Sequence, residues 1–163
     1  MNLLIEKVPF SEKETLENLY SLYLHDLSEY TNDLEVSTNG LYVYDSIDML
    51  WSNDGIQPYF IKSDEKLVGF ILLLKRPFLQ NNHDVCINDY FICKNYRRKG
   101  LGKKALSILF EENKGKYVMM ELAQNQPAIA FWRKTLSQLG LPYIEEKKVI
   151  EEEECFVQTF EVL

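Results

Sequence analysis

Arg97, Arg98, Lys99, Gly100, Leu101, Gly102, Lys103 and Lys104 put five cations and two glycines into eight consecutive positions of a chain with a formal net charge of -7. Clustered positive charge in an acidic chain points to an anionic ligand. Gly100 and Gly102 carry no Cβ, so successive backbone N–H groups can converge on one space. A helix starting at the same place adds unpaired N–H groups and the positive end of its dipole. The chemistry expected is capture of a phosphate or pyrophosphate by main-chain amides. A solvated turn would explain Lys103 and Lys104 taken alone, but not their clustering with Arg97, Arg98 and Lys99. One compact basic turn is a poor footprint for a polyanion, so no nucleic-acid partner is expected.

The elements that must hold this turn are a strand before it and a helix after it. Asp84 to Cys93 is apolar and aromatic, as a strand requires. Leu101, Ala105, Ile108 and Leu109 recur at helical spacing, opposite Lys103, Lys104, Glu111 and Glu112. Gly100, Gly102 and Ala105 also fit the dinucleotide pattern GxGxx[GA], with Glu121 about twenty residues on. Against that reading, residues 94–99 separate the strand from the first glycine, and one helix and a β tail follow in place of further βα units. A nucleoside triphosphate loop fits less well, because Lys104 stands where Ser or Thr is needed.

At 163 residues, 46% hydrophobic and 26% charged, the chain is expected to form a single domain, 1–163, with a substantial core. No apolar run approaches the roughly twenty residues that span a bilayer, and the first residues lack a signal pattern. A cytoplasmic protein without a membrane partner is expected. Cys86, Cys93 and Cys155 are odd in number and lack CxxC spacing, which predicts reduced, packed thiols. His25 and His83 lie far apart, so no metal site is expected.

In order, Asn2 to Val8 predicts a strand, and Ser11 with Glu14 a capping box opening a helix. Leu16, Leu19, Tyr20, Tyr23, Leu24 and Leu27 mark its buried stripe. Thr31 to Gln57 is irregular, with a short helix expected within Asp45 to Trp51, and suits a lid or substrate wall. Pro58 to Lys62 and Lys66 to Lys75 predict a hairpin; Gly69 marks a bulge or close backbone approach in its second, central strand. Tyr117 to Leu122 is a further strand. Asn125 and Pro127 open a helix striped by Ala128, Phe131, Trp132, Leu136 and Leu139, and Tyr143 to Leu163 predicts two strands about the run Glu151 to Glu154.

Arg97 to Gly102 is similar to the [QR]xxGx[GA] signature of the GNAT N-acetyltransferase superfamily, there preceded by a strand like Asp89 to Cys93. Asn125, Ala128, Phe131 and Trp132 look like the superfamily's later Asn, Ala and aromatic helix, and the element order matches over nearly the whole chain. The resemblance implies a mixed α/β fold: a central, mostly antiparallel sheet, splayed between the strands Asp84–Cys93 and Tyr117–Leu122, with helices on both faces. It implies acetyl-CoA as cosubstrate, its pyrophosphate held by the backbone of Arg98, Lys99, Gly100, Leu101 and Gly102. Arg97 would order the turn, and Lys103 or Lys104 would reach a phosphate. Phe91 and Ile92 would meet the pantetheine amides, the N–H of Ile92 would polarise the thioester carbonyl, and Asn125, Phe131 and Trp132 would flank the arm.

The function so implied is transfer of acetyl from acetyl-CoA directly to a primary amine of a small molecule or peptide, by general-base-assisted attack on the thioester. Relatives often carry a tyrosine where Trp132 stands, acting as acid to the thiolate, and an indole cannot replace it. Others carry Glu or His where this chain has Asn88 and Cys86. Asn88, Tyr90 and Glu121 are therefore candidates for a base or for orienting a water, with Asp89 as a nearby carboxylate of structural character. Acidic net charge and a tyrosine-rich first half suit a cationic acceptor. A non-catalytic acyl-CoA-binding or sensing module is the alternative, and a monomer or homodimer is expected.

Overall fold

A computed structural model describes residues 2–163. Seven strands form one sheet: β1 (Leu3–Lys7), β2 (Ile56–Ser63), β3 (Lys66–Lys75), β4 (Val85–Ile92), β5 (Gly115–Leu122), β6 (Tyr143–Ile150) and β7 (Glu153–Val162). Their spatial order is β1-β2-β3-β4-β5-β7-β6. All neighbours are antiparallel except β4 and β5, which are parallel and share only the pairs Val85↔Tyr117 and Cys86↔Val118. Beyond Cys86 these two strands part, and the sheet is splayed where the resemblance implied.

Helix α1 (Lys13–Leu27) covers one face of the sheet, and α2 (Leu101–Glu112) and α3 (Gln126–Gln138) cover the other. On the α1 side Leu16, Leu19 and Tyr20 pack on Phe60, Phe70, Leu72 and Phe91. On the opposite side Ala105, Leu106 and Leu109 of α2 meet Ile61, Ile71, Leu73 and Ile87. β3 is buried on both faces from Val68 to Leu73, which explains its unbroken apolar run. The β2–β3 register shifts opposite Gly69, and a methyl built there would run into the carbonyl oxygen of Phe91. Gly69 thus marks both a bulge and a close approach.

Three local expectations change. Residues 10–12 form a 3-10 turn, and α1 starts after Glu12 without any side-chain cap, so the Ser11–Glu14 box does not form. In α2 Leu106 and Phe110 are buried while Ile108 is only half-buried, because the helix lies flat on the sheet and buries both flanks. In α3 Ile129 and Thr135 take inward positions and Phe131 is half-buried. The short helix within Asp45 to Trp51 is a 3-10 segment, Ile47–Leu50, whose ends Ile47 and Leu50 are buried against the α1 side.

Candidate active site

The basic turn leaves β4 with Arg98 at φ 62° and Gly100 at φ 78°, both left-handed, on either side of Lys99 and directly before α2. Alternating hands of this kind point consecutive N–H groups inward. The first amide to find a helical acceptor is that of Lys104, bonded to the Gly100 carbonyl at 3.1 Å. The N–H groups of residues 98–103 have no acceptor among the described residues. A Cβ at Gly100 would meet nothing within 4 Å, so the space in front of them is open. These free donors, a dipole end and the cations Arg98, Lys99 and Lys103 make a cradle that fits a diphosphate.

Arg97 anchors the turn. Its Nε donates to the Ile92 carbonyl at 2.6 Å, its guanidinium pairs with Asp26 of α1 at 2.6 Å, and it lies 5.5 Å from the Phe91 ring centre. Lys103 reaches Gln138 at 3.3 Å across the helix pair. The Cys93 amide donates to the Val68 carbonyl on β3 at 2.8 Å. Strand alternation therefore turns the Ile92 N–H the other way, onto the edge that β5 has left.

Tyr90 faces the α2–α3 side. Its hydroxyl donates to the Gly102 carbonyl at 2.5 Å, and its ring stacks on Phe131 at 5.9 Å and meets Trp132 edge-on at 5.4 Å. Burial raises its pKa far above the phenol range, and its hydroxyl braces the strand against the turn. Asn125 caps α3, its side-chain oxygen accepting from the Ala128 amide at 3.3 Å.

Glu121 is buried on the α3 side of β5, 7% exposed. Gln158 donates to it at 2.9 Å and also to Glu145, which Arg133 holds bidentately at 3.0 and 2.6 Å. Burial pushes its pKa up to about 7, and its second oxygen is buried with no partner. It lies on the face of the sheet that α2 and α3 cover, opposite α1.

Asn88 and Asp89 sit at a β-bulge: β3 pairs Leu72 with Asp89 and Leu73 with Ile87, leaving Asn88 unpaired. Val85 and Ile87 face α2, and so do Tyr90 and Ile92, so the alternation changes parity across the bulge. Asn88 and Asp89 consequently share the α1 side, where unbroken strand alternation would turn them to opposite faces. Asp89 accepts from Tyr20 at 2.7 Å and from Asn88 at 3.1 Å, with the Tyr23 hydroxyl at the same carboxylate. Burial raises its pKa, against the lowering effect of those donors. Tyr44 closes this cluster, 4.4 Å from the Tyr20 ring, with its pKa pushed up to about 12 by burial and then by Asp89.

A family model described as the acetyltransferase (GNAT) family matches residues 16–137. The chain belongs to the GNAT acetyltransferase family. Among solved structures, an acetyltransferase from Thermus thermophilus superposes with a TM-score of 0.72 at 15% identity, covering 98% of this chain and 96% of the other. A ribosomal-protein-alanine N-acetyltransferase from Brucella melitensis gives 0.66 at 18% identity, covering 98% and 99%. A GNAT family acetyltransferase from Elizabethkingia anophelis with acetyl-CoA bound gives 0.59 at 14% identity, covering 98% of each chain. Comparison with curated proteins finds no match.

In this GNAT chain the fold brings Tyr90, Phe91, Ile92, residues 97–103, Phe131 and Trp132 together around the parting of β4 and β5. Asn125 stands at the adjoining helix start, while Glu121 lies in its own network. Sequence reasoning misses the cluster Tyr20, Tyr23, Tyr44 and Asp89 as a unit, although the tyrosines of α1 are visible as a stripe. Its only sequence signal is phenols on a buried helix face that carries no other polar partner. Among the described residues no three potential ligands gather to hold a metal ion, and no helix is long and apolar enough to cross a membrane.

Proposed function

We propose that this GNAT chain transfers acetyl from acetyl-CoA to a primary amine of a small molecule or peptide, acting as one domain. The observation that carries the reading is the left-handed turn of free amides, residues 98–103, set beside the parted edge of β4. In this reading those amides hold the pyrophosphate, with Arg98, Lys99 and Lys103 adding charge, and Arg97 keeps the turn against Ile92. The pantetheine arm lies along the open edge beyond Cys86, as an added strand, between Phe91–Ile92 and β5. Asn125, Phe131 and Trp132 flank it. The Ile92 N–H donates to the thioester oxygen as negative charge develops there.

The amine must be neutral when it attacks, so its proton leaves first, to a base or through water. Asn88, exposed on the acceptor side, orients such a water. Trp132 offers no acidic proton, so solvent returns a proton to the departing thiolate.

The test has two parts. Acetyl-CoA and CoA are each titrated calorimetrically onto the chain, and thiol release from acetyl-CoA is followed with a panel of primary amines. Binding of both with amine-dependent release is the expected result. Absence of CoA binding overturns the proposal, and tight binding without release on any amine favours a sensing module.

A further inference from the structure

Glu121 and Gln158 each bury one oxygen that finds no hydrogen-bond partner among the described residues: Oε2 of the carboxyl and Oε1 of the amide. The two side chains already share one bond, from Gln158 Nε2 to Glu121 Oε1 at 2.9 Å. Both orphan atoms are acceptors, and a buried acceptor left without a donor is costly. A carboxylic acid and a primary amide pair through two bonds at once, N–H to one oxygen and O–H to the other. A proton on Glu121 Oε2 therefore completes a pair whose N–H half is in place, and gives both orphans a partner.

The surroundings favour that proton. Glu121 is buried and Gln158 wholly so. Around the pair stand Arg133 of α3, Tyr143 and Glu145 of β6, and Cys155 of β7. Arg133 is the cation of this set, and both its bonds go to Glu145, at 3.0 and 2.6 Å. Glu145 also accepts from Gln158 Nε2 at 2.9 Å, so a charged Glu121 would compete with a charged Glu145 for one amide. Burial first, and the Glu145 charge after it, push the Glu121 pKa up to about 7, against the opposing pull of Gln158 and Arg133.

This network touches the binding edge from two directions. Glu121 lies on β5 past Val118, the last residue that β5 pairs with β4, so its strand borders the gap. Arg133 directly follows Phe131 and Trp132 on α3, whose rings meet Tyr90 of β4 at 5.9 and 5.4 Å. Loss of the proton to solvent puts a second carboxylate before Arg133, and an arginine drawn toward it takes along the helix that carries both rings.

We propose that Glu121 is a positioning residue for the transfer: it carries a proton that closes an acid–amide pair with Gln158, and the closed pair seats α3 so that Phe131 and Trp132 wall the thioester arm. The proposal rests on the acetyl-transfer reading above. Glu121 acts through Arg133 and α3, makes no bond to substrate, and exchanges its proton with solvent. The chain with the proton in place is the form that grips CoA, so CoA affinity falls as pH climbs through the carboxyl's titration.

The first measurement needs no cofactor: infrared difference spectra of the full chain, taken from about pH 5.5 to about pH 8.5. The wild type is expected to lose a protonated-carboxyl C=O band with its midpoint at about pH 7, and Glu121→Gln to lack that change. The second is calorimetric titration of CoA over the same range. Glu121→Gln keeps both bonds of the pair at every pH, because an amide N–H takes the place of the acid O–H. Its CoA affinity should match the wild type at about pH 5.5 and exceed it by about fivefold or more at about pH 8.5. Ionisation of CoA's own phosphates is common to both proteins and cancels in the ratio. Arg133→Gln, at the exposed end of the network, should keep the infrared change and bring the pH dependence of CoA affinity down to that of Glu121→Gln. An infrared change that persists in Glu121→Gln, a ratio that stays constant with pH as a merely structural tie would give, or a full pH response in Arg133→Gln overturns the proposal. Failure of the wild type to bind CoA at any pH overturns the acetyl-transfer reading instead, and the infrared comparison alone then decides where the proton sits.

Discussion

Tyr90 donates its hydroxyl proton to the carbonyl of Gly102 across 2.5 Å, fastening β4 to the first turn of α2. The amides of the cradle and the strand edge beside them are thereby held in one geometry. Tyr90→Phe keeps the stacking on Phe131 and removes only this bond. It should cost about 1 kcal/mol of stability and weaken CoA binding about threefold by loosening the turn. Urea titration and calorimetry check the two effects.

The two glycines of the turn act differently. Gly100 is left-handed with open space around it, so Gly100→Ala should lower stability by about 1–2 kcal/mol through backbone strain alone. A Cβ at Gly102 would lie 3.0 Å from the Phe131 ring and 3.5 Å from the Tyr90 hydroxyl. Gly102→Val should therefore wedge the helices apart and reduce CoA affinity by about tenfold or more. Lys103→Ala, trimming one screened charge, should cost less than about threefold. Equal losses from Gly102→Val and Lys103→Ala would mean simple charge attraction.

Gly69→Ala tests how the binding edge is supported from behind. The new methyl would meet the Phe91 carbonyl, forcing β3 from β4. Loss of about 3 kcal/mol is expected, with weaker CoA binding because Phe91 and Ile92 shift together. An unaltered denaturation midpoint would show that the contact relaxes freely.

Glu121 gives a pH signature. Its pKa rises from 4.5 to about 7 on folding, through burial first, so between those values the folded state holds a proton that the unfolded state has lost. Its contribution is fully present at low pH and falls as pH climbs through that window, by about 3 kcal/mol in total. Glu121→Gln should flatten this slope relative to the wild type in denaturation measured from about pH 4 to about pH 8. A parallel pH dependence in both proteins would show that Glu121 titrates normally.

Much of the arrangement is legible in the sequence because it is local. The basic turn, the Asn125 cap and the apolar run of β3 each carry their cause within a few residues. The bulge at Asn88 is not, because one unpaired residue reverses the facing of every later side chain and leaves no compositional mark. Neither is the Glu121–Gln158–Glu145–Arg133 network, whose members meet only through the registers of β5, β7 and β6. Ser11 misleads because a plausible cap residue falls inside a 3-10 turn that leaves the helix start to Glu12.

The narrow join between β4 and β5 makes the sheet two panels sharing a pair of rungs, one holding β1 to β4 and the other β5, β7 and β6. Rocking one panel against the other strains that short seam and leaves every longer ladder intact. Amide exchange should accordingly be slow along β5, which is sewn to β7 over eight residue pairs from Gly115↔Val162 to Leu122↔Cys155, and fast at Tyr90 and Ile92 on the facing edge. A guest of varying girth can be admitted by swinging the panels, without melting either.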